Sequence, residues 1–297
     1  MWNHLREHLQ KGEYRALARA ISLVENGVSG HDEFLASLPV SSTPVIGITG
    51  PPGAGKSTLV DALLAEWVAE GKRIGVICVD PSSPFHFGAL LGDRIRMGKW
   101  YNHPGVFIRS LASRGSLGGL HPKIIEITDL MKAAPFDRIL VETVGVGQSE
   151  VEIAGLADIT VVVVVPEGGD EVQTMKAGLM EIADIFVVNK SDRPDADAFV
   201  KNLNSLMASS PGDAHRAVSV VKTVASQNTG IGTLSARILE LEKQPAVHPR
   251  RFYLMAEKAY HLIREKRMQD ISKQELLLAL EQSGPKTNLY QFIKKYT

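Results

Sequence analysis

The sequence predicts an α/β fold in which a mainly parallel central sheet carries helices on both faces. Two observations indicate this class: short Val- and Ile-rich segments recur along the chain, and most of them are separated by a helical pattern or a long loop. Segments that are apolar throughout are typical of parallel strands buried on both faces. The candidate strands are 45–49, 73–79, 105–109, 137–143, 159–165, 184–189 and 217–223.

Helical segments precede and follow this alternating region. The N-terminal segment places Leu17, Ile21 and Val24 on one helical face, and "LPVSSTP" forms a linker to the first strand. Near the C-terminus only helical patterns remain, as in "RRFYLMAEKAYHLIREKRM". We therefore expect an N-terminal helical extension, a core domain and a C-terminal helical arm, at residues 1–38, 39–245 and 246–297.

The first candidate strand leads directly into the glycine-rich loop "GPPGAGKST", which matches the GxxxxGK[ST] spacing of P-loop NTPases. Glycines let the backbone N–H groups turn inward, and the positive end of the following helix favours an anion there. We expect Lys56 to reach the outer phosphates and Ser57 to offer a hydroxyl to Mg²⁺. The nucleotide-binding residues predicted in this loop are Gly50, Pro51, Pro52, Gly53, Ala54, Gly55, Lys56, Ser57 and Thr58.

A second motif predicts that the bound base is guanine. Asn189, Lys190 and Asp192 form an NKxD sequence at the end of a strand, where open α/β sheets place ligand contacts. An aspartate there can accept two hydrogen bonds from the N1–H and the exocyclic amine of guanine. Val224 and Ala225 follow the last strand, where guanine-binding proteins usually carry Ser-Ala; the backbone N–H of Ala225 is the expected donor to the base.

A third motif predicts contacts to the metal and the γ-phosphate. The strand "RILVE" ends in an ExxG sequence that begins with Glu142 and ends with Gly145, whose N–H can meet the γ-phosphate. Asp80 ends the strand that follows the phosphate loop, and Asp93 lies further on, with an ordinary solvated side chain as the alternative. The predicted catalytic residues are Lys56, Glu142 and Gly145, and the predicted metal ligands, direct or through water, are Ser57, Asp80, Asp93 and Glu142.

The composition narrows the classes of partner. Lys plus Arg (33) equals Asp plus Glu (33), so no overall positive charge attracts nucleic acid or an anionic membrane. A single cysteine, Cys78, excludes an intramolecular disulfide and a cysteine-only metal cluster. Because the N-terminus is charged rather than signal-like and no apolar run approaches transmembrane length, we expect a cytoplasmic protein.

Several long motifs resemble the MeaB/ArgK-type GTPases of the SIMIBI class, the family that includes the human methylmalonic aciduria type A protein. They are "VDPSSPF", "LGDRIRM", "SLASRGSLGGL", "VETVGVGQSEVEIAGLAD", "VVVPEGGDEVQTMKAG" and "NKSD". The resemblance implies a Mg²⁺-dependent GTPase that converts GTP to GDP and phosphate. It also implies a chaperone role for an adenosylcobalamin-dependent acyl-CoA mutase, usually methylmalonyl-CoA mutase, and a homodimer with a helical C-terminal arm.

The same resemblance implies switch segments that respond to the nucleotide and the mutase. It places Gln148, Asp170, Gln173 and Lys176 in such segments, although solvated positions on a helix are the alternative for the last two. Arg114 could contact phosphate, a carboxylate or the partner. No residue has the signature of a water-positioning glutamine or an in-chain arginine finger, so we expect slow intrinsic turnover.

Three other functions fit a phosphate loop of this kind. A metallochaperone GTPase of the same class would need a metal-handling cluster, and the nine histidines are scattered. A small-molecule kinase would need a substrate pocket, and the NKxD sequence disfavours it. The third alternative is a module that binds GTP without hydrolysing it.

Overall fold

Seven strands form one sheet within the residues that the computed structural model describes, which are 1–80, 97–113, 120–143, 149–166, 177–209, 218–243, 249–268 and 270–296. Each strand coincides with a candidate strand of the sequence to within three residues. The strands are β1 (Val45–Thr49), β2 (Ile74–Asp80), β3 (Val106–Ala112), β4 (Arg138–Glu142), β5 (Ile159–Val164), β6 (Ile185–Val188) and β7 (Ser219–Lys222).

The sheet order is β3-β2-β4-β1-β5-β6-β7, and every neighbouring pair is parallel. The strand β1 therefore lies in the centre, between β4 and β5. Because all strands run in the same direction, the segments that follow them meet along one edge of the sheet. The strands β2 to β4 lie on one side of β1, and β5 to β7 lie on the other. Open α/β sheets bind their ligands at the point where the strand order changes side in this way.

Helices cover both faces of the sheet. Before the sheet lie α1 (Trp2–Gln10), α2 (Tyr14–Glu25) and α3 (His31–Ala36). The helices between and after the strands are α4 (Lys56–Ala69), α5 (Ile124–Lys132), α6 (Ser149–Leu156), α7 (Ala177–Ile182), α8 (Ala196–Ser209) and α9 (Ile231–Glu242). Further along the chain come α10 (Pro249–Arg267), α11 (Lys273–Ser283) and α12 (Leu289–Ile293). None of the helices in the described ranges is long and apolar enough to span a membrane.

The core follows the alternation of side chains along each strand. In β1, Ile46 and Ile48 pack with α4 and α9, whereas Val45 packs on the opposite face with α1, α2, α5 and α6. A third apolar cluster joins α7 and α8 to β5 and β6. The predicted class, an α/β P-loop fold with a parallel sheet and helices on both faces, is confirmed.

The chain divides into two compact units, Met1–Val247 and His248–Thr297. Helices α1 to α3 belong to the first unit, where Leu9, Leu17 and Ile21 are buried against the core. In the second unit, α11 begins with a capping box: Ser272 Oγ accepts from the Glu275 N–H at 3.0 Å, and the Glu275 carboxylate accepts from the Ser272 N–H at 3.3 Å.

Candidate functional site

The phosphate loop connects the end of β1 to the start of α4, and two of its glycines are required by its shape. Gly50 has φ +137° and Gly55 has φ +89°, values that L side chains rarely adopt. A Cβ at Gly50 would collide with the carbonyl oxygen of Val163, and one at Gly55 would collide with the Asn189 side chain. The loop therefore passes close to β5 and to the residue that follows β6.

Lys56 is the first residue of α4, and its side chain is buried within the loop. Its Nζ donates to the carbonyl oxygens of Gly50, at 2.8 Å, and Pro51, at 3.0 Å. The loop thus curls around a cation at the positive end of a helix, which is an electrostatic arrangement that attracts phosphate. The next residue but one, Thr58, is exposed on the first turn of α4.

Ser57 and Glu142 are brought together by the central strands. Both side chains are buried, and Ser57 Oγ donates to Glu142 Oε1 at 2.6 Å. Asp80 ends the neighbouring strand β2 and is 2% exposed. In the β2–β4 register Cys78 faces Glu142, so Asp80 lies two residues further toward the same edge.

The side of the sheet on which these groups lie is set by the strand period. Cys78 packs in the cluster that contains α4, and Asp80, two residues later, points to the same face. The site thus combines a hydroxyl from α4 with carboxylates from two adjacent strands. Mg²⁺ prefers oxygen ligands and is commonly held by one or two carboxylates together with phosphates of the substrate, so this donor set fits Mg²⁺.

Asn189 joins three parts of the candidate nucleotide site. Its side chain is buried, and Nδ2 donates to the carbonyl oxygen of Ala54 in the phosphate loop at 2.9 Å. Its Oδ1 accepts from Thr223 Oγ1 and from the N–H of Ala225, both at 3.1 Å. One amide therefore ties the phosphate loop to the segments that follow β6 and β7.

The remaining residues of the NKxD sequence line the same edge. Lys190 has a left-handed backbone, φ 56°, and Asp192 is exposed beyond it. The backbone of Val224 exchanges hydrogen bonds with that of Thr229, which closes the loop after β7. The N–H of Ala225 is directed at Asn189 in this structure, and its contact with a base stays a prediction.

Some polar contacts at this edge were not expected from the sequence motifs. Thr223 holds Asn189, and Thr49 Oγ1 lies 2.9 Å from Thr143 Oγ1 at the ends of β1 and β4. A threonine at the end of a strand beside a nucleotide motif is the signal that could have identified each of them. The predicted residues that lie outside the described residues are Asp93, Gly145, Gln148, Asp170, Gln173 and Lys176, and Arg114 lies outside them too.

A metal cluster made only of His, Cys, Asp or Glu is a different kind of site from the one above. Among the described residues no group of three or more such side chains is arranged to hold a metal ion. The candidate Mg²⁺ site contains two carboxylates and a hydroxyl, and the substrate phosphates would complete it.

Comparisons with known proteins agree with this geometry. Residues 17–275 match the family model described as "Methylmalonyl Co-A mutase-associated GTPase MeaB". A "Putative GTPase" of Pyrococcus abyssi is 51% identical over 246 residues, which cover 81% of this chain and 76% of that protein. The "Fused isobutyryl-CoA mutase" of Geobacillus kaustophilus is 36% identical over 242 residues, which cover 76% of this chain and 22% of that protein.

A solved structure also matches the chain along its length. The crystal structure titled "LAO/AO transport system kinase" aligns with a TM-score of 0.71 and 25% identity, covering 99% of this chain and 97% of that one. The family model spans most of the chain, and its phosphate loop, ExxG glutamate and NKxD sequence converge on one sheet edge. This chain is a member of the MeaB family of P-loop GTPases.

Proposed function

We propose that this chain hydrolyses GTP to GDP and phosphate in a Mg²⁺-dependent reaction. The observation that carries the proposal is the 2.6 Å hydrogen bond between Ser57 and Glu142. It joins the two oxygen donors that separate motifs assign to the metal, one in the phosphate-loop motif and one at the end of β4. A glycine-rich turn could share the sequence of the loop without binding phosphate. A glutamate at a strand end could likewise face water without binding a metal.

The chemistry of this site is positioning and charge neutralisation rather than covalent catalysis. Lys56 and the loop N–H groups would stabilise the negative charge of the β- and γ-phosphates. Ser57, Glu142 and Asp80 would hold Mg²⁺ directly or through water, and the ion would neutralise phosphate oxygens. Water would attack the γ-phosphorus in line with the departing GDP. Asp192 would accept hydrogen bonds from guanine and exclude adenine.

The biological role that we propose is that of a chaperone for an adenosylcobalamin-dependent acyl-CoA mutase. Two findings support it: the description of the matching family, and a relative named as a fused isobutyryl-CoA mutase. GTP hydrolysis would then control cofactor loading, protection or reactivation of the mutase. We place Gln148, Asp170, Gln173 and Lys176 in segments that respond to the mutase, and Gly145 and Asp93 at the γ-phosphate and the metal.

We also propose that the second unit forms a homodimer interface. In this unit α11 has no buried residue, and Phe292 alone is buried among the unit's residues whose side chains the structure describes. Large apolar side chains of the same unit, such as Tyr260, Leu277 and Tyr290, are more than half exposed. An apolar surface of this kind is typical of an interaction site.

The test of the proposed chemistry follows the γ-phosphate of radiolabelled GTP and, separately, of radiolabelled ATP. We expect label from GTP to appear as inorganic phosphate, with Mg²⁺ required and with little turnover of ATP. Lys56→Ala should abolish the release, because the charge that stabilises the transferred phosphoryl group is lost. Label transferred to a metabolite would favour a kinase, and binding without release, even with a mutase present, would favour a binding module.

A further inference from the structure

Two buried threonine hydroxyls lie where the chain leaves the two central strands. Thr49 ends β1 and immediately precedes the phosphate loop, and Thr143 immediately follows Glu142. Their Oγ1 atoms are 2.9 Å apart, and the two residues are 0% and 1% exposed. The N–H of Thr143 also donates to the carbonyl oxygen of Ile48 at 3.0 Å. Thr143 is therefore attached to β1 through both its backbone and its side chain.

The two threonines and the metal-binding groups lie on opposite faces of the sheet. Successive side chains of a strand alternate between faces, so Glu142 and Thr143 point in opposite directions. Glu142 points toward α4 and meets Ser57, whereas Thr143 points away from α4 and meets Thr49. The end of β4 is thus held from both sides by the segment of chain that contains the phosphate loop.

We propose that Thr143, paired with Thr49, is a positioning residue that sets the place of the Glu142 carboxylate for Mg²⁺. The inference rests on the proposed Mg²⁺-dependent GTPase function. Its physical basis is that both hydroxyls are buried, so water cannot replace the partner when one hydroxyl is removed. The hydroxyl left without a partner would force the ends of β1 and β4 to shift, and Glu142 is the residue immediately before Thr143. Thr143 itself touches neither metal nor nucleotide in this role.

Nucleotide affinity with and without the metal gives the sharpest measurement. We would titrate a fluorescent GDP analogue against the full chain in EDTA and in a series of Mg²⁺ concentrations, and measure GTP hydrolysis over the same series. Thr143→Val removes the hydroxyl and keeps the shape. We expect it to raise the Mg²⁺ concentration of half-maximal effect at least threefold in both assays, with GDP affinity in EDTA within twofold of the original chain.

Three further variants separate positioning from a loss of stability. Thr143→Ser keeps the hydroxyl and should have the same Mg²⁺ dependence as the original chain. Thr128→Val removes a hydroxyl that is equally buried but bonds to the Ile124 carbonyl oxygen within α5, at 2.7 Å, and should lower stability without moving the Mg²⁺ dependence. Thr49→Val breaks the same pair from the other side and replaces Thr143→Val if that variant does not fold.

The outcomes distinguish this inference from the function on which it rests. If the unaltered chain binds no guanine nucleotide, or binds it with no Mg²⁺ effect, the proposed function fails. If that chain behaves as proposed but Thr143→Val or Thr49→Val leaves the Mg²⁺ dependence unchanged, the positioning role is overturned. An equal shift in Thr143→Val and Thr143→Ser also overturns it, because keeping the hydroxyl would then not preserve the Mg²⁺ dependence.

Discussion

We propose that Asp192 selects guanine as the base. It lies exposed at the edge of the site, three residues beyond the buried Asn189 that organises the loops. Asp192→Asn should shift the preference from guanosine to xanthosine nucleotides by at least about tenfold, because the amide donates where the carboxylate accepted. Displacement of the fluorescent GDP analogue from the protein by GDP and, separately, by XDP measures this preference. Asp195→Asn makes the same chemical change at an exposed position of the same loop and should leave the preference unchanged.

Glu25 shows a residue-scale effect on stability rather than on binding. The His121 ring, whose Nε2 lies 3.5 Å from Glu25 Oε1, and the hydrogen bond and charge of Arg109, at 2.8 Å, outweigh burial and lower the pKa of Glu25 from 4.5 to about 2. The Arg109 contact is the shorter of the two. The His121 Nδ1 accepts from the Lys123 N–H at 3.0 Å, which leaves the hydrogen on Nε2, facing Glu25.

A carboxyl group whose pKa is lower in the folded state stabilises the fold above its unfolded pKa. That stabilisation is lost as the pH falls from about 4.5 to about 2. Glu25→Gln should therefore lower the free energy of unfolding by about 3 kcal/mol at pH 7, and the difference should shrink below pH 4.5. Urea unfolding across this pH range checks it. Glu13→Gln, at a half-exposed pair with His8, should cost less than about 1 kcal/mol.

At the scale of elements, the strands were predictable and the contacts between distant segments were not. Strands such as β1 and β5 can be predicted from the sequence, because a strand buried on both faces is a continuous run of apolar residues. The residues of the phosphate loop also follow from local spacing. The cluster of Glu25, Arg109 and His121 joins α2, β3 and the segment before α5, so no spacing along the chain predicts it. The same holds for the pairing of Thr49 with Thr143.

An ion pair between a buried arginine and a partly buried glutamate attaches the helix α9 to the sheet. Arg138, at the start of β4, bonds to the Glu242 carboxylate at 2.7 and 3.0 Å, and its guanidinium lies 4.8 Å from the Trp67 ring centroid. Glu242→Gln leaves this buried guanidinium without a countercharge, so we expect a loss of about 3 kcal/mol in the free energy of unfolding. Glu240→Gln, which breaks the exposed pair with Arg237 on the same helix, should change it by less than about 1 kcal/mol. Equal losses in both variants would contradict this account of α9.

At the scale of the whole molecule, the second unit should decide the oligomeric state. Leu277 and Leu278 on α11 are each 56% exposed, and placing two charges there should prevent apolar association. We expect the double variant Leu277→Glu, Leu278→Glu to sediment as a monomer where the original chain sediments as a dimer, with GTP affinity unchanged. Leu206→Glu alters an exposed leucine of α8 in the first unit and should remain dimeric. A monomeric original chain would remove the dimer proposal.

The proposed partner can be tested only on the assembled system. If the chain serves a cobalamin-dependent acyl-CoA mutase, adding that mutase should complete the catalytic site and raise the GTPase rate at least roughly tenfold, or about 1.4 kcal/mol of transition-state stabilisation. The segment "PEGGDEVQTMK" contains adjacent glycines followed by polar side chains, a composition suited to a segment that changes shape when a partner binds.

Lys176→Ala and Gln173→Ala provide the control for that stimulation. We expect either change to reduce the mutase-stimulated rate while basal hydrolysis and GDP affinity stay within about twofold of the original values, because the residues would act only when the partner is bound. Steady-state phosphate release with and without the mutase, loaded with adenosylcobalamin, measures both rates. A parallel fall in basal and stimulated rates would place these residues in the hydrolytic site itself. If no such mutase from the same source changes the rate, the chaperone role is wrong, whereas the GTPase assignment stands on the phosphate-release assay alone.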